Sequence, residues 1–300
     1  MRSYLESFFA EFDYPMESRD VLLSAYDAIT SSPAPAAKWQ ELMELYEANY
    51  NCDFNAALEV CDVIAADTGC HSYTVRLLLF ICWSRRLRTL YREQGIADQI
   101  WFDSMCDLKY KLWECKAVKN IWGSFVAGWF GGFFNLTRFA LGRLQYELVP
   151  AEGRIPTDPC TLDGLVLRGD TKLINVHIPR TLTPIDKASC DASYAMAKEF
   201  FKEAWIDGKV VFTCASWLLF PEGLNFLPEK SNVRRFITEF NLVKSGYDES
   251  GSYGDMWRLF DMDYTGNFDD YPEDSSLRRA YKAHLKAGGK VGGGTGLRVL

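Results

Sequence analysis

Residues 172–205 read KLINVHIPRTLTPIDKASCDASYAMAKEFFKEAW, and the hydrophobic period changes halfway along. Lys172–Pro179 is a short apolar run bounded by proline, which reads as a strand. Thr183 then suits an N-cap, Pro184 the first helical position and Asp186 the third. Ala188, Ala192, Ala195, Met196 and Phe200 recur at helical spacing and give the following helix an expected core face. Next comes KVVFTCASWLLF, residues 209–220, a buried strand. A strand, a loop, a helix and a second strand are the nucleus of an α/β layer.

On both sides of this nucleus the chain carries more of the same. Upstream, RFALGRLQYELV (138–149) alternates and is rich in strand formers, and DGLVLRGD (163–170) reads as another strand, joined to KLINVHIP by the turn Gly169-Asp170. Downstream, SNVRRFITEF (231–240) is a helix opened by Ser231, NLVKSGY (241–247) and MWRLFDM (256–262) read as strands, and DSSLRRAYKAHLKAGG (274–289) is a helix stopped by Gly288. The first 120 residues are different. MESRDVLLSAYDAIT and AAKWQELMELYEANY have helical spacing on either side of the linker SSPAPAA, SYTVRLLLFICWSRRLRTLYREQG is a strongly apolar helix ended by Gly95, and DQIWFDSMCDLKYKLWECKAVKNIWG is one long helix or two. The expected class is α+β, a helical N-terminal domain followed by a mixed α/β C-terminal domain.

Composition bounds the function. With 48% hydrophobic and 24% charged residues the chain is an ordinary globular protein. Nine cysteines without a C-x-x-C pair, beside three histidines, argue against zinc and for reduced thiols in a cytoplasmic protein. The N-terminus lacks the apolar core of a signal peptide. Asn120–Thr137 is free of charge for eighteen residues, but its four glycines favour a buried helix and turn over a membrane span. Net charge is −7, and six Lys/Arg follow the last acid, Asp274, so the remainder carries −13. An acidic body excludes general nucleic-acid binding, while the basic end suits a single anion. DMDYTGNFDD (261–270) imitates a calcium loop, yet position twelve is Pro272 in place of the bidentate glutamate, so no metal is expected.

WGSFVAGWFGGFF, RFALGRLQYE, VHIPRTLTP, CASWLLFPE, LPEKSNVRRF and SSLRRAYKAHLKAGGKVGGGTG together resemble the GNAT-like acyltransferases. The closer likeness is to a bacterial family that joins a helical N-acyltransferase N-terminal domain, here residues 1–136, to a GNAT-like C-terminal domain, here residues 137–300. The resemblance implies direct transfer of an acyl group from acyl-CoA to an amine or similar small-molecule acceptor. It implies a strand that splays from its neighbour to admit the pantetheine arm, and a pyrophosphate loop at NVHIPRTLTPID. That loop lacks the usual Gln/Arg-x-x-Gly-x-Gly/Ala signature, and Pro179 and Pro184 remove two N–H donors. Arg180, Thr181 and Thr183 are the candidates to bind phosphate in their place.

His177 at the end of its strand is a candidate general base, or a hydrogen-bonded structural histidine. Glu147 in an apolar strand is a candidate base acting through water, or the partner of a buried arginine. Ser216 is a candidate to face the acyl group. Gly292, Gly293 and Gly294 have two readings: an amide-lined nest for an anion, with Lys290 and Arg279 adding charge, or a glycine turn leading a last strand, LRVL, onto the sheet. The overall readings are an acyl-CoA-dependent N-acyltransferase, with an acyl carrier protein as another possible donor, and a non-catalytic GNAT-like ligand- or protein-binding module.

Overall fold

The computed structural model describes residues 1–181, 183–250 and 253–300, which divide into two units, Met1–Phe139 and Ala140–Leu300. In the first unit, helices α1 (Arg2–Glu11), α2 (Met16–Ser31), α3 (Pro33–Ala48), α4 (Phe54–Thr68), α5 (Ser72–Glu93) and α6 (Asp98–Lys119) follow one another. α5 is the centre, buried along nearly its whole length from Thr74 to Tyr91. Trp83 stacks on Tyr46 at 4.8 Å, and Phe80 meets Phe130 and Phe134 edge-on. Trp83 Nε1 donates to the Leu42 carbonyl at 3.0 Å, which satisfies the one polar atom the indole buries.

The expected linker SSPAPAA shrinks to Ser32, because α3 begins at Pro33. A proline in the first turn loses no hydrogen bond, since the N–H groups there have no helical partner. The uncharged stretch 120–137 is broken by a 3-10 turn, Ala127–Phe130, and the four-residue α7 (Gly131–Phe134). At Gly123 a Cβ atom would lie 2.4 Å from the Tyr73 carbonyl carbon, so glycine lets this segment run against the start of α5. Among the described residues no helix is long and apolar enough to cross a membrane.

From the unit boundary onward the strands are β1 (Arg138–Leu141), which straddles it, β2 (Leu144–Pro150), β3 (Cys160–Leu162), β4 (Leu165–Leu167), β5 (Lys172–His177), β6 (Val211–Ser216), β7 (Asn241–Tyr247) and β8 (Gly292–Val299). Helices α8 (Lys187–Phe200), α9 (Gly223–Phe226), α10 (Asn232–Thr238), α11 (Met256–Phe260) and α12 (Ser276–Lys286) connect them. The main sheet has the order β1-β2-β5-β6-β8-β7, and β3-β4 is a separate ribbon. Only β5 and β6 are parallel among the pairs β2-β5, β5-β6, β6-β8 and β7-β8, as the α8 crossover between them requires.

Four local expectations are corrected. RFALGRLQYELV is two strands, joined by Gly142-Arg143 with Gly142 at φ +74°. MWRLFDM forms the short helix α11 in place of a strand. The N-cap of α8 is Asp186, not Thr183, because the Asp186 carboxylate accepts from Ser189 N at 2.9 Å. Finally, α8 buries Cys190, Ser193, Tyr194 and Ala197, leaving Ala188, Ala192, Ala195 and Met196 exposed. Polar pairing decides that rotation. Ser193 Oγ donates to the Leu141 carbonyl, accepts from Leu144 N at 3.1 Å and shares a bond with Tyr146 Oη at 2.8 Å. Tyr194 packs edge-on against Phe212 and Tyr146.

Candidate active site

Side chains alternate across a strand, so Tyr146, Ile174, Val176 and Phe212 share the α8 face of the sheet. The opposite face holds Gln145 and Glu147 on β2, Asn175 and His177 on β5, and Thr213 on β6. The register fixes this, with Gln145 opposite His177, Glu147 opposite Asn175, and Asn175 beside Thr213. Lower on that face Leu173 of β5 and Val211 of β6, with Leu297 of β8 opposite Thr213, join an apolar cluster with Ala151, Leu165 and Leu167. A polar row above an apolar floor is therefore built by two-residue periodicity alone.

Within the row His177 Nε2 lies 2.7 Å from Glu147 Oε1. The two residues are diagonal neighbours across the antiparallel pair, a span that a glutamate side chain bridges. Asn175 Nδ2 donates to the same Glu147 oxygen at 3.0 Å and lies 3.1 Å from His177 Nε2. A carboxylate only accepts, so with Glu147 ionised the short contact is a bond donated by Nε2–H of His177. Relative exposures of 20% for His177 and 17% for Glu147 keep the pair reachable yet mostly shielded, which strengthens their interaction.

Beside this pair the parallel ladder ends. It consists of Ile174↔Phe212 and Asn175↔Thr213. β5 continues to His177 and β6 to Ser216, each still paired on its outer side, β5 to β2 and β6 to β8.

The other sequence candidates fall elsewhere. Ser216 alternates onto the opposite face from Thr213, and its Oγ accepts from Leu218 N at 3.1 Å, capping a 3-10 turn. Arg180, just beyond β5, forms an ion pair with Asp261, which also holds Arg278. Thr181 and Thr183 bond to each other, Oγ1 to Oγ1 at 2.9 Å. Arg279 donates to the Glu273 carbonyl at 2.8 Å. The Lys290 ammonium sits 4.9 Å over the Tyr247 ring and 3.8 Å from Glu249.

Gly292, Gly293 and Gly294 are strand residues of β8, paired with β7 on one side and, at Gly294, with β6 on the other. This corrects the nest reading, because extended backbone points successive N–H groups in opposite directions, whereas a nest needs them to converge. The glycines serve close packing. A Cβ on Gly294 would lie 2.4 Å from the Leu219 carbonyl oxygen, and one on Gly292 2.1 Å from that of Gly246.

The sequence reading missed Asn175, Thr213 and Asp261. An asparagine two residues before a strand histidine, on the same face, was the available signal for the first. Asp261 was visible only as part of the apparent calcium loop, and its carboxylate is taken by two arginines instead. Among the described residues no group of three or more His, Cys, Asp or Glu is placed to hold a metal ion.

Residues 138–298 match the GNAT-like C-terminal domain family, and residues 3–136 match the N-acyltransferase N-terminal domain. The fold is similar to that of an acyltransferase solved in complex with decanoyl-CoA and teicoplanin, with a TM-score of 0.72 and 19% identity over 98% of this chain and 87% of that one. A variant acyltransferase in complex with octanoyl-CoA aligns with a TM-score of 0.72 at 18% identity, over the same shares. No curated protein sequence matches the chain.

Proposed function

Since the chain belongs to the GNAT-like C-terminal domain family, we propose that it transfers an acyl group from acyl-CoA to an amine or similar small-molecule acceptor. One observation carries this reading: the parallel β5-β6 ladder ends directly beside the Glu147–His177 pair while both strands run on. Unpaired strand edges inside a sheet suit a ligand that presents its own amides in extended form, as a pantetheine arm does.

The residues present divide the work. The strand edges hold the extended arm and place the thioester at the level of His177. His177 takes the proton of the attacking amine, the C–N bond forms and the C–S bond breaks, and the imidazolium returns that proton to the departing thiolate. Glu147 accepts from Nε2–H throughout, keeping the tautomer and stabilising the imidazolium as it forms. Asn175 holds the Glu147 carboxylate in place. Positioning of amine and thioester supplies the larger share of the rate.

The usual glycine-rich phosphate loop is missing, and Arg180, the loop's own cation, is already paired with Asp261. Phosphate binding at Arg180 therefore requires the anion to compete with that carboxylate, with Arg278 close by to share the charge. The test is release of CoA thiol from acetyl-, octanoyl- and decanoyl-CoA with a panel of amines. Turnover lost about 10²–10⁴-fold in His177→Ala supports the assignment. Turnover unchanged in that variant would overturn it.

A further inference from the structure

At the end of the β5-β6 ladder stand two polar atoms with nothing to bond. Thr213 is fully buried and Asn175 is 5% exposed. Thr213 Oγ1 and Asn175 Oδ1 have no hydrogen-bond partner among the described residues. Leaving a buried polar atom unsatisfied is costly, so two on one rung of the ladder are worth explaining.

Their geometry makes them a pair. Asn175 and Thr213 form the last rung of the parallel ladder, on the face that carries the histidine. The Asn175 amide turns Nδ2 toward Glu147 on β2. Its Oδ1 accepts no bond from the described residues, and Thr213 is its partner in the rung. Oδ1 can only accept, and the threonine hydroxyl both donates and accepts. Together they suit one hydroxyl, which donates to Asn175 and bonds Thr213.

We infer that Asn175 and Thr213 form a receptor for a hydroxyl on the acyl chain, and that the protein prefers 3-hydroxyacyl thioesters to plain ones of the same length. This rests on the acyltransferase reading above. Distance selects the 3-position. Asn175 lies two residues from His177, about 6.6 Å along the strand. With the thioester carbon beside the base, a substituent on C3 reaches about 3–4 Å farther along the chain. The remaining gap is about one hydrogen bond, near 3 Å.

The test is calorimetric titration with free CoA, butyryl-CoA and the two enantiomers of 3-hydroxybutyryl-CoA. One enantiomer is expected to bind about tenfold more tightly than butyryl-CoA, the scale of one well-made buried hydrogen bond. In Thr213→Val that ratio is expected to fall to near one, and in Thr213→Ser, which keeps the hydroxyl, to persist. Thr213→Val replaces an unpartnered buried hydroxyl by a methyl group and is expected to fold, which thermal denaturation checks.

Equal binding of butyryl-CoA and both hydroxyacyl-CoAs, with CoA itself bound, would overturn the receptor and leave the acyltransferase reading intact. Failure of every CoA species to bind would overturn that reading, and the receptor with it. An ordered water joining Asn175 and Thr213 that persists in a 3-hydroxybutyryl-CoA complex would also refute the receptor.

Discussion

Replacing Glu147 by glutamine removes one negative charge while hardly changing the shape of the side chain. One oxygen remains to accept from Asn175 Nδ2 and from His177 Nε2, so the ring is held where it was. What is lost is stabilisation of the imidazolium that forms as the amine is deprotonated. At 2.7 Å, with an effective dielectric constant near 20, the gross attraction is about 6 kcal/mol. Desolvation and partial exposure offset most of it, and charge-assisted hydrogen bonds of this kind retain about 1.5–3 kcal/mol. Spread over the barrier at 1.36 kcal/mol per decade, that is a fall in kcat of about ten- to one-hundredfold. Because Glu147 acts through His177 and does not touch the donor, KM for acyl-CoA is expected to move less than about twofold. The assay is CoA release at saturating amine over a range of acyl-CoA concentrations. A Glu147→Gln enzyme with unchanged kcat, or one whose loss lies wholly in KM, would refute the role given to this carboxylate.

Other consequences follow from the packing. Gly294→Ala forces a Cβ against the Leu219 carbonyl at 2.4 Å, and backbone on both sides leaves little room to yield. A loss of about 1–3 kcal/mol in urea denaturation is expected. Ser193→Ala removes the hydroxyl that joins Leu141, Leu144 and Tyr146, with an expected loss of about 2–3 kcal/mol by the same measurement. Burial pushes the Cys61 and Cys214 thiols up to about 12, and those of Cys106 and Cys115 to about 11. At pH 8 these four are expected to react with a thiol reagent only after denaturant is added. Each stays neutral in the native state above the pH at which the unfolded chain ionises. Their contribution to stability is therefore complete below about pH 8.5 and is lost as pH rises toward the folded values.

Element types read well from the sequence wherever periodicity was long or capping chemistry strong. α5, α6 and α12 are long enough for helical spacing to dominate, and Ser231 and Ser275 cap their helices as their residue types suggest. Short elements failed. Five residues of MWRLF carry too little pattern to separate a helix from a strand. The exposed face of α8 was misassigned because alanines fit either environment, and the choice was made by Ser193 and Tyr194 finding partners on distant strands. For the site, Glu147 and His177 stood out singly, as a carboxylate and an imidazole in apolar strands. Their union depended on register between β2 and β5, which no local pattern encodes. The glycine tail failed for a related reason. Glycine signals that something approaches closely, without saying whether that is a ligand or the chain's own carbonyls.

The central claim is that acyl-CoA lies in the opening between β5 and β6, with its thioester beside His177. A crystal structure of the protein with an unreactive acyl-CoA analogue, its thioester sulfur replaced by methylene, tests it most directly. The account predicts pantetheine amides bonded to the inner edges at Val176–His177 and Cys214–Ser216, and the carbonyl carbon within reach of a nitrogen held by His177. An analogue bound away from that opening, or an opening closed by β5-β6 hydrogen bonds in the complex, would contradict it.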